Sequence, residues 1–230
     1  REAKAYGKNV LLGPCVNIQR VPQGGRSFES FGEDPYLAAR LAVGVIRGVQ
    51  SEGVVATVKH FAANNQETER FTISAEVDPR ALHEIYLPAF EAAVTEAGVQ
   101  AVMCAYNRVN GIYACEHPGL LSETLRGRWG FPGLVMSDWG ATHSVAPAVR
   151  AGLDLEMPTP EHLSSEALAA ALEAGELELG DVDGMVRRLL GVIARMGYLD
   201  APLDAGALDT PEHRALNREA ARSSFVLLRN

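Results

Sequence analysis

Short apolar segments alternate with longer helical segments along this chain, and that alternation constrains its fold more than any other feature. Helix-capping residues introduce several of the helical segments, for example Asp34-Pro35, Asp78-Pro79 and Ser122. Parallel strands that lie side by side need a crossover connection, which is usually a helix. The βαβα order therefore predicts an α/β fold with a parallel sheet. Five segments are predicted strands: residues 9–13, 54–58, 100–106, 134–136 and 153–157.

Length and composition limit the classes of protein to which the chain can belong. Its 230 residues suit one α/β barrel domain or two small domains, since such barrels contain about 200–250 residues. Hydrophobic residues make up 47% of the chain, which is sufficient for a substantial core. The net charge of −8 and the lack of a long Lys/Arg run argue against a nucleic-acid or membrane partner. No apolar run approaches the roughly 18–20 residues that span a bilayer.

Several common kinds of chemical site lack their sequence motifs. The six histidines form no H-E-x-x-H pattern, and the three cysteines have no C-x-x-C spacing, so we expect no metal site. The chain has no G-x-G-x-x-G or G-x-x-x-x-G-K turn for a nucleotide, and no G-x-S-x-G elbow of a serine hydrolase. We therefore expect the protein to use no cofactor.

Polar residues collect where the predicted strands end. In residues 133–140 an apolar run ends in Asp138 and Trp139, and Lys59-His60 closes an earlier strand. Three further candidates follow strands in the same way: Arg26, Arg70 and Tyr106. Chemistry in parallel α/β proteins is usually done at the carboxyl ends of the strands. A carboxylate among hydrogen-bond donors, without metal or nucleotide, is the chemistry of a glycosidase.

Each of these residues also has a purely structural interpretation. Asp138 would then begin an ordinary loop, and Lys59-His60 would be a solvated lysine beside a hydrogen-bonded core histidine. Arg26 would only pair with Glu29 or Glu33. The functional interpretation is favoured because all the candidates share one end of successive strands.

Four segments, in order, resemble glycoside hydrolase family 3, the β-glucosidase and β-xylosidase group. They are residues 24–35 (GGRSFESFGEDP), 58–70 (VKHFAANNQETER), 102–107 (VMCAYN) and 135–140 (VMSDWG). Residues 151–158 (AGLDLEMP) resemble the segment that follows in that family. The resemblance implies a (β/α)8 TIM-barrel-like domain over residues 1–200, truncated at its N-terminus. Residues 201–230 would be a linker and the entry to a following α/β sandwich domain, with 225–230 as a new strand.

The resemblance also implies an activity and a set of site residues. The expected activity is that of a retaining, exo-acting β-glycosidase, and β-glucosidase is our first choice within it. Asp138 would be the nucleophile that forms a covalent glycosyl-enzyme. The implied substrate-binding residues are Arg26, Lys59, His60, Arg70, Tyr106, Trp139 and Met103. A methionine in a strand is more often plain core, so this second interpretation of Met103 stays open.

Some features of the family pattern are not matched in this chain. An early sugar-binding Asp has no counterpart, and the general acid/base usually comes from the later α/β sandwich domain, which is therefore the expected partner. The N-acetylhexosaminidase branch carries K-H-F-P-G-H-G, whereas residues 59–65 read KHFAANN, which argues against that branch. The start at Arg-Glu-Ala-Lys, without Met, agrees with a piece of a longer protein cut at both ends. The sequence leaves a homo-oligomer open.

Two alternative functions belong to other classes. One is a catalytically inactive carbohydrate-binding module of the same fold, and the other is an aldolase-type barrel with Lys59 as a Schiff-base lysine. The resemblance further suggests a disulfide between Cys104 and Cys115, although two reduced core cysteines are an open alternative. A disulfide would favour a secreted or periplasmic protein over a cytoplasmic one.

Overall fold

Four parallel strands form the main sheet of the computed structural model, which describes residues 1–200 and 206–229. In chain order the strands of the molecule are β1 Val10–Leu11, β2 Val55–Phe61, β3 Ser74–Ala75, β4 Ala101–Cys104, β5 Arg108–Val109, β6 Ile112–Tyr113 and β7 Leu134–Ser137. The main sheet has the order β1-β2-β4-β7, and the other three strands form a small separate sheet. A parallel bridge between Met136 and Leu155 stands where the fifth strand was predicted. The predicted α/β fold with a parallel sheet is confirmed.

Asp34 and Asp78 each cap a helix as predicted. The helices lie before, between and after the strands. They are α1 Glu2–Ala5, α2 Pro35–Ser51, α3 Pro79–Ala81, α4 Pro88–Thr95, α5 Ala146–Ala151, α6 Ser165–Glu173, α7 Leu179–Arg195 and α8 Pro211–Ser224, with a π-helix at Gly119–Arg128. The Asp34 carboxylate accepts hydrogen bonds from the first turn of α2, and Ser164 and Thr210 cap α6 and α8 in the same way. The prediction for Ser122 is wrong. The π-helix begins before it, and its hydroxyl instead donates to the Ala151 carbonyl at 2.7 Å.

The second predicted helix is divided. Asp78 caps α3, which passes into a π-turn at Leu82–Tyr86 before α4 begins at Pro88. Proline has no backbone N–H and clashes with the preceding turn, so one continuous helix cannot run through this position.

Two cores cover the two faces of the main sheet. On one face, helices α2, α4 and α5 and the π-helix pack over outward residues such as Val58 and Val102. On the other face, the C-terminal half of α7 packs Val192 against Met103 and Met136. Because residues alternate along a strand, this double covering explains why β2 and β4 are buried almost throughout.

The end of the chain differs from its prediction. Residues 225–229, all of them described, form no strand, and the side chains of Phe225 and Leu228 are 84% and 93% exposed. A strand needs a neighbour for its backbone hydrogen bonds, and none lies beside this segment in the described part of the chain. Within that part, no helix combines the length and apolar character that a membrane span requires.

Candidate active site

Asp138 lies directly after β7, whose four residues are all buried. Its backbone N–H donates to the Cys104 carbonyl at 3.1 Å, which fixes it against the end of β4. The Oδ1 atom accepts the Trp139 backbone N–H at 2.8 Å. The Oδ2 atom is buried and has no hydrogen-bond partner within residues 1–200 and 206–229. One carboxylate oxygen is thus held by the protein and the other is available to react.

His60 lies at the end of β2 and faces this carboxylate. Its Nε2 atom is 3.5 Å from Asp138 Oδ2, and its Nδ1 atom is 2.9 Å from Asn17 Oδ1. Burial, together with the positive charges of Arg26, Lys59 and Arg70, lowers the pKa of His60 to about 2. The ring is therefore neutral at any physiological pH.

Glu29 holds two of the predicted cationic residues. It pairs with Arg26, as the structural interpretation of Arg26 predicted, and its Oε2 atom lies 3.5 Å from Lys59 Nζ. The glutamate and both cations are only partly exposed, so the ion pairs fix the cations beside His60 instead of leaving them in solvent. The predicted alternative of a freely solvated Lys59 is not what the structure has.

Arg70 is fixed by a carboxylate and by aromatic rings. Its Nη1 atom lies 2.5 Å from Glu67 Oε2, and its guanidinium lies over the rings of Tyr106 and Phe71, at 4.5 and 5.1 Å from their centroids. Burial and the negative charge of Asp138 raise the pKa of Tyr106 to about 12, so its hydroxyl keeps its proton. Tyr106 can therefore donate a hydrogen bond beside Asp138.

Gly25 allows the two loops that carry these arginines to approach each other. Its φ is +83°, a conformation that favours glycine, and a Cβ here would lie only 2.7 Å from the Glu67 side chain. The loop with Arg26 thus packs against the glutamate that pairs with Arg70.

Trp139 and Met103 occupy different environments. The Trp139 side chain is 40% exposed, which leaves a flat apolar surface beside Asp138. Met103 is buried in the core against α7, together with Met136 and Val192. The structure thus favours the core interpretation of Met103, whereas the other seven predicted site residues lie at the carboxyl ends of the strands.

Four residues near the site were not predicted from the sequence: Asn17, Cys15, Glu29 as a partner of Lys59, and Glu67. Each of them contacts a predicted site residue that is distant in the chain or on another turn of the same loop. Asn17, for example, contacts a residue 43 positions away. The available signal was its place in the loop after β1, at the same end of the sheet. No group of three or more His, Cys, Asp or Glu in the described ranges is arranged to hold a metal ion.

Cys104 and Cys115 form a disulfide, with their Cα atoms 5.1 Å apart. This pairing is the one that the family resemblance suggested. Cys15 is buried, and within the described residues it has a free thiol whose Sγ lies 3.8 Å from His60 Nδ1.

Comparisons with known proteins show which proteins this chain is similar to. A β-glucosidase of Rhizobium radiobacter is 51% identical over all of this chain, which covers 28% of that protein. An exo-α-(1→6)-L-arabinopyranosidase of Bifidobacterium longum is 44% identical over 96% of the chain, which covers 29% of it. The crystal structure of a β-glucosidase of Streptomyces venezuelae with D-glucose is 40% identical, with a TM-score of 0.93 over the whole chain and 31% of that protein.

The chain therefore spans less than a third of the length of these relatives. Its similarity to the solved structures supports the TIM-barrel-like fold class. The model of the glycosyl hydrolase family 3 N terminal domain matches residues 1–192. The chain belongs to glycosyl hydrolase family 3 and matches the N terminal domain of that family.

Proposed function

We propose that the protein to which this chain belongs is a retaining, exo-acting β-glucosidase with Asp138 as its nucleophile. The observation that carries the proposal is the buried Asp138 carboxylate, which points one oxygen without a partner in the described chain toward His60. A buried acceptor left in this state costs free energy, which is characteristic of a group that acts on a ligand. Relatives named β-glucosidase support the glycone.

In the proposed first step, Asp138 Oδ2 attacks the anomeric carbon of a terminal β-glucosyl residue. The bond to the aglycone breaks, the aglycone oxygen takes a proton from an acid, and a covalent glycosyl-enzyme forms. Water then attacks the same carbon, gives its proton to the conjugate base, and releases Asp138. Two inversions give net retention of configuration.

The cations bind the sugar hydroxyls. Arg26, Lys59 and Arg70 are already fixed by carboxylates, so they do not lose much side-chain freedom when the sugar binds. Hydrogen bonds that tighten as the ring flattens stabilise the transition state more than the substrate. The exposed Trp139 ring packs against the apolar face of the sugar.

The acid/base comes from outside this chain. The neighbouring Glu29 and Glu67 each form an ion pair with an arginine, so their carboxylates are already engaged within the site. We assign the acid/base to an α/β sandwich domain in the part of the protein beyond this chain. The aldolase alternative is disfavoured because Lys59 lies beside Glu29 and not in the apolar pocket that a Schiff-base lysine needs.

Covalent trapping tests the proposal in the full-length protein. A 2-fluoro β-glucoside with an activated leaving group slows hydrolysis of the intermediate, and mass spectrometry then locates the label. We expect the label on Asp138, its loss in Asp138→Ala, and its retention in Asp183→Ala, which changes an exposed aspartate of α7. A label on another residue contradicts the nucleophile. Reversible sugar binding without label or turnover supports the inactive binding module instead.

Two further measurements define the reaction. Proton NMR should show β-glucose as the first product, and initial α-glucose contradicts retention. A panel of nitrophenyl glycosides should show the highest kcat/KM for β-glucoside; a preference for the α-L-arabinopyranoside would place the protein with its arabinopyranosidase relative.

A further inference from the structure

Asn17 makes three contacts with His60, and the backbone fixes which end of its amide faces which atom. The His60 backbone N–H, which can only donate, lies 2.9 Å from Asn17 Oδ1. The His60 carbonyl, which can only accept, lies 2.8 Å from Asn17 Nδ2. The side chain of Asn17 is buried, so water does not compete for these contacts. The orientation of the amide is therefore determined by the backbone of His60.

This orientation determines the tautomer of the histidine ring. The atom that faces His60 Nδ1 at 2.9 Å is the acceptor Oδ1, so Nδ1 must carry the ring proton. Because the pKa of His60 is about 2, the ring has only one proton. The Nε2 atom is then a bare lone pair, and it faces Asp138 Oδ2 at 3.5 Å. Two acceptors oppose each other at this position.

We infer that Asn17 is a positioning residue that keeps the Asp138 carboxylate free by holding the proton of His60 on the far nitrogen. In the other tautomer, His60 would donate from Nε2 to Asp138 Oδ2 and occupy the oxygen that attacks the sugar. With the proton on Nδ1, His60 instead accepts a hydrogen bond from a hydroxyl of the bound sugar. The inference rests on the proposed nucleophile and adds the Asn17–His60 contact that keeps its carboxylate free to react.

Nitrogen NMR tests the tautomer directly and needs no activity. In the full-length protein labelled with 15N-histidine, the His60 signals are those lost in His60→Gln. We expect a protonated Nδ1 and an unprotonated Nε2 across the neutral pH range. A protonated Nε2 in the wild-type protein overturns the inference. If the protein does not hydrolyse β-glucosides, the proposed function fails while this measurement still decides the tautomer.

Kinetics of matched variants test the consequence. Without the Asn17 amide, Nδ1 loses its oxygen acceptor, and the Asp138 carboxylate draws the proton to Nε2. We expect Asn17→Ala to lower kcat by about 10- to 100-fold, taking as a guide the loss seen when the hydrogen-bond partner of a metal-bound histidine is removed. Asn217→Ala removes an exposed amide of α8 and should leave kcat close to the wild-type value.

A double-mutant cycle separates positioning from general support of the fold. In a His60→Ala background, Asn17→Ala should cause no further loss of kcat, because its effect passes through the ring. An equal loss in both backgrounds overturns the inference, as does a wild-type kcat for Asn17→Ala. If Asn17→Ala does not fold, the NMR result on the wild-type protein remains decisive.

Discussion

Two aspartates near opposite ends of β7 are equally buried, at 6% exposure each, yet their surroundings differ. Both oxygens of Asp154 are bound: Oδ1 by Arg188 at 2.6 Å, and Oδ2 by Arg126 at 2.7 Å and the Val135 N–H at 2.8 Å. Asp138 instead keeps Oδ2 without a partner within the described residues, although cations lie nearby. Both aspartates are buried and both have cations nearby. What distinguishes the structural carboxylate from the reactive one is therefore whether all of its oxygens are paired.

The largest expected effect is that of replacing Asp138, the reactive aspartate. Asp138→Ala in the full-length protein should lower kcat by about 10⁴-fold or more, as removal of a catalytic nucleophile typically does. Its thermal stability should stay close to that of the wild type, because no ion pair with a short contact is lost. Azide should restore part of the activity by filling the vacated space. Turnover near the wild-type rate would remove Asp138 from the mechanism.

Asp154 should show the opposite behaviour. Asp154→Ala leaves Arg126 and Arg188 partly buried without their carboxylate, and breaking a buried pair in this way costs about 3–5 kcal/mol. Urea unfolding measures this loss, and assays well below the unfolding temperature should give a kcat near that of the wild type for the folded fraction. A stable but inactive Asp154→Ala would show that pairing does not separate the two roles.

The difference between the two aspartates could not be read from the sequence. Asp138 was found because it ends an apolar run and precedes an aromatic residue, which are local features. The pairing of Asp154 depends on Arg126 and Arg188, which lie 28 and 34 positions away. The tautomer set by Asn17 likewise depends on a contact across two loops.

The fold shows the same division between local and distant causes. The apolar segments predicted the strands, and Asp34 predicted the start of α2, because strand burial and capping act over a few residues. The sequence of α7 is amphipathic, but that pattern alone does not show that the helix covers the second face of the sheet. Ser122 was misplaced because its role depends on where the π-helix begins.

The Cys104–Cys115 disulfide sharpens the comparison at the site end. The Asp138 carboxylate at this end is not fully paired. The disulfide adds a covalent link between β4 and the segment after β6, which stiffens this part of the molecule. Removing it in Cys104→Ala/Cys115→Ala should lower the free energy of unfolding by about 2–3 kcal/mol for a loop of this length. Peptide mapping without reduction should show the linked peptides, whereas Cys15 should react with alkylating reagents only after unfolding. Unlinked peptides would contradict the bridge.

The smallest expected effect is a pH dependence of the free energy of unfolding that arises from His60, at the active-site end of the strands. Its pKa is about 2 in the folded protein, whereas an unfolded histidine titrates near 6.5. As pH falls below 6.5, the unfolded chain therefore binds a proton that the folded protein does not, and stability falls with it. The contribution is about 2 kcal/mol between pH 7 and pH 5, from 1.4 kcal/mol per pKa unit. His60→Asn cannot titrate and should lose this part of the pH dependence of urea unfolding, while His83→Asn, at an exposed position of the π-turn, should retain it. The same dependence of the free energy of unfolding on pH in both variants would show that His60 is not its source.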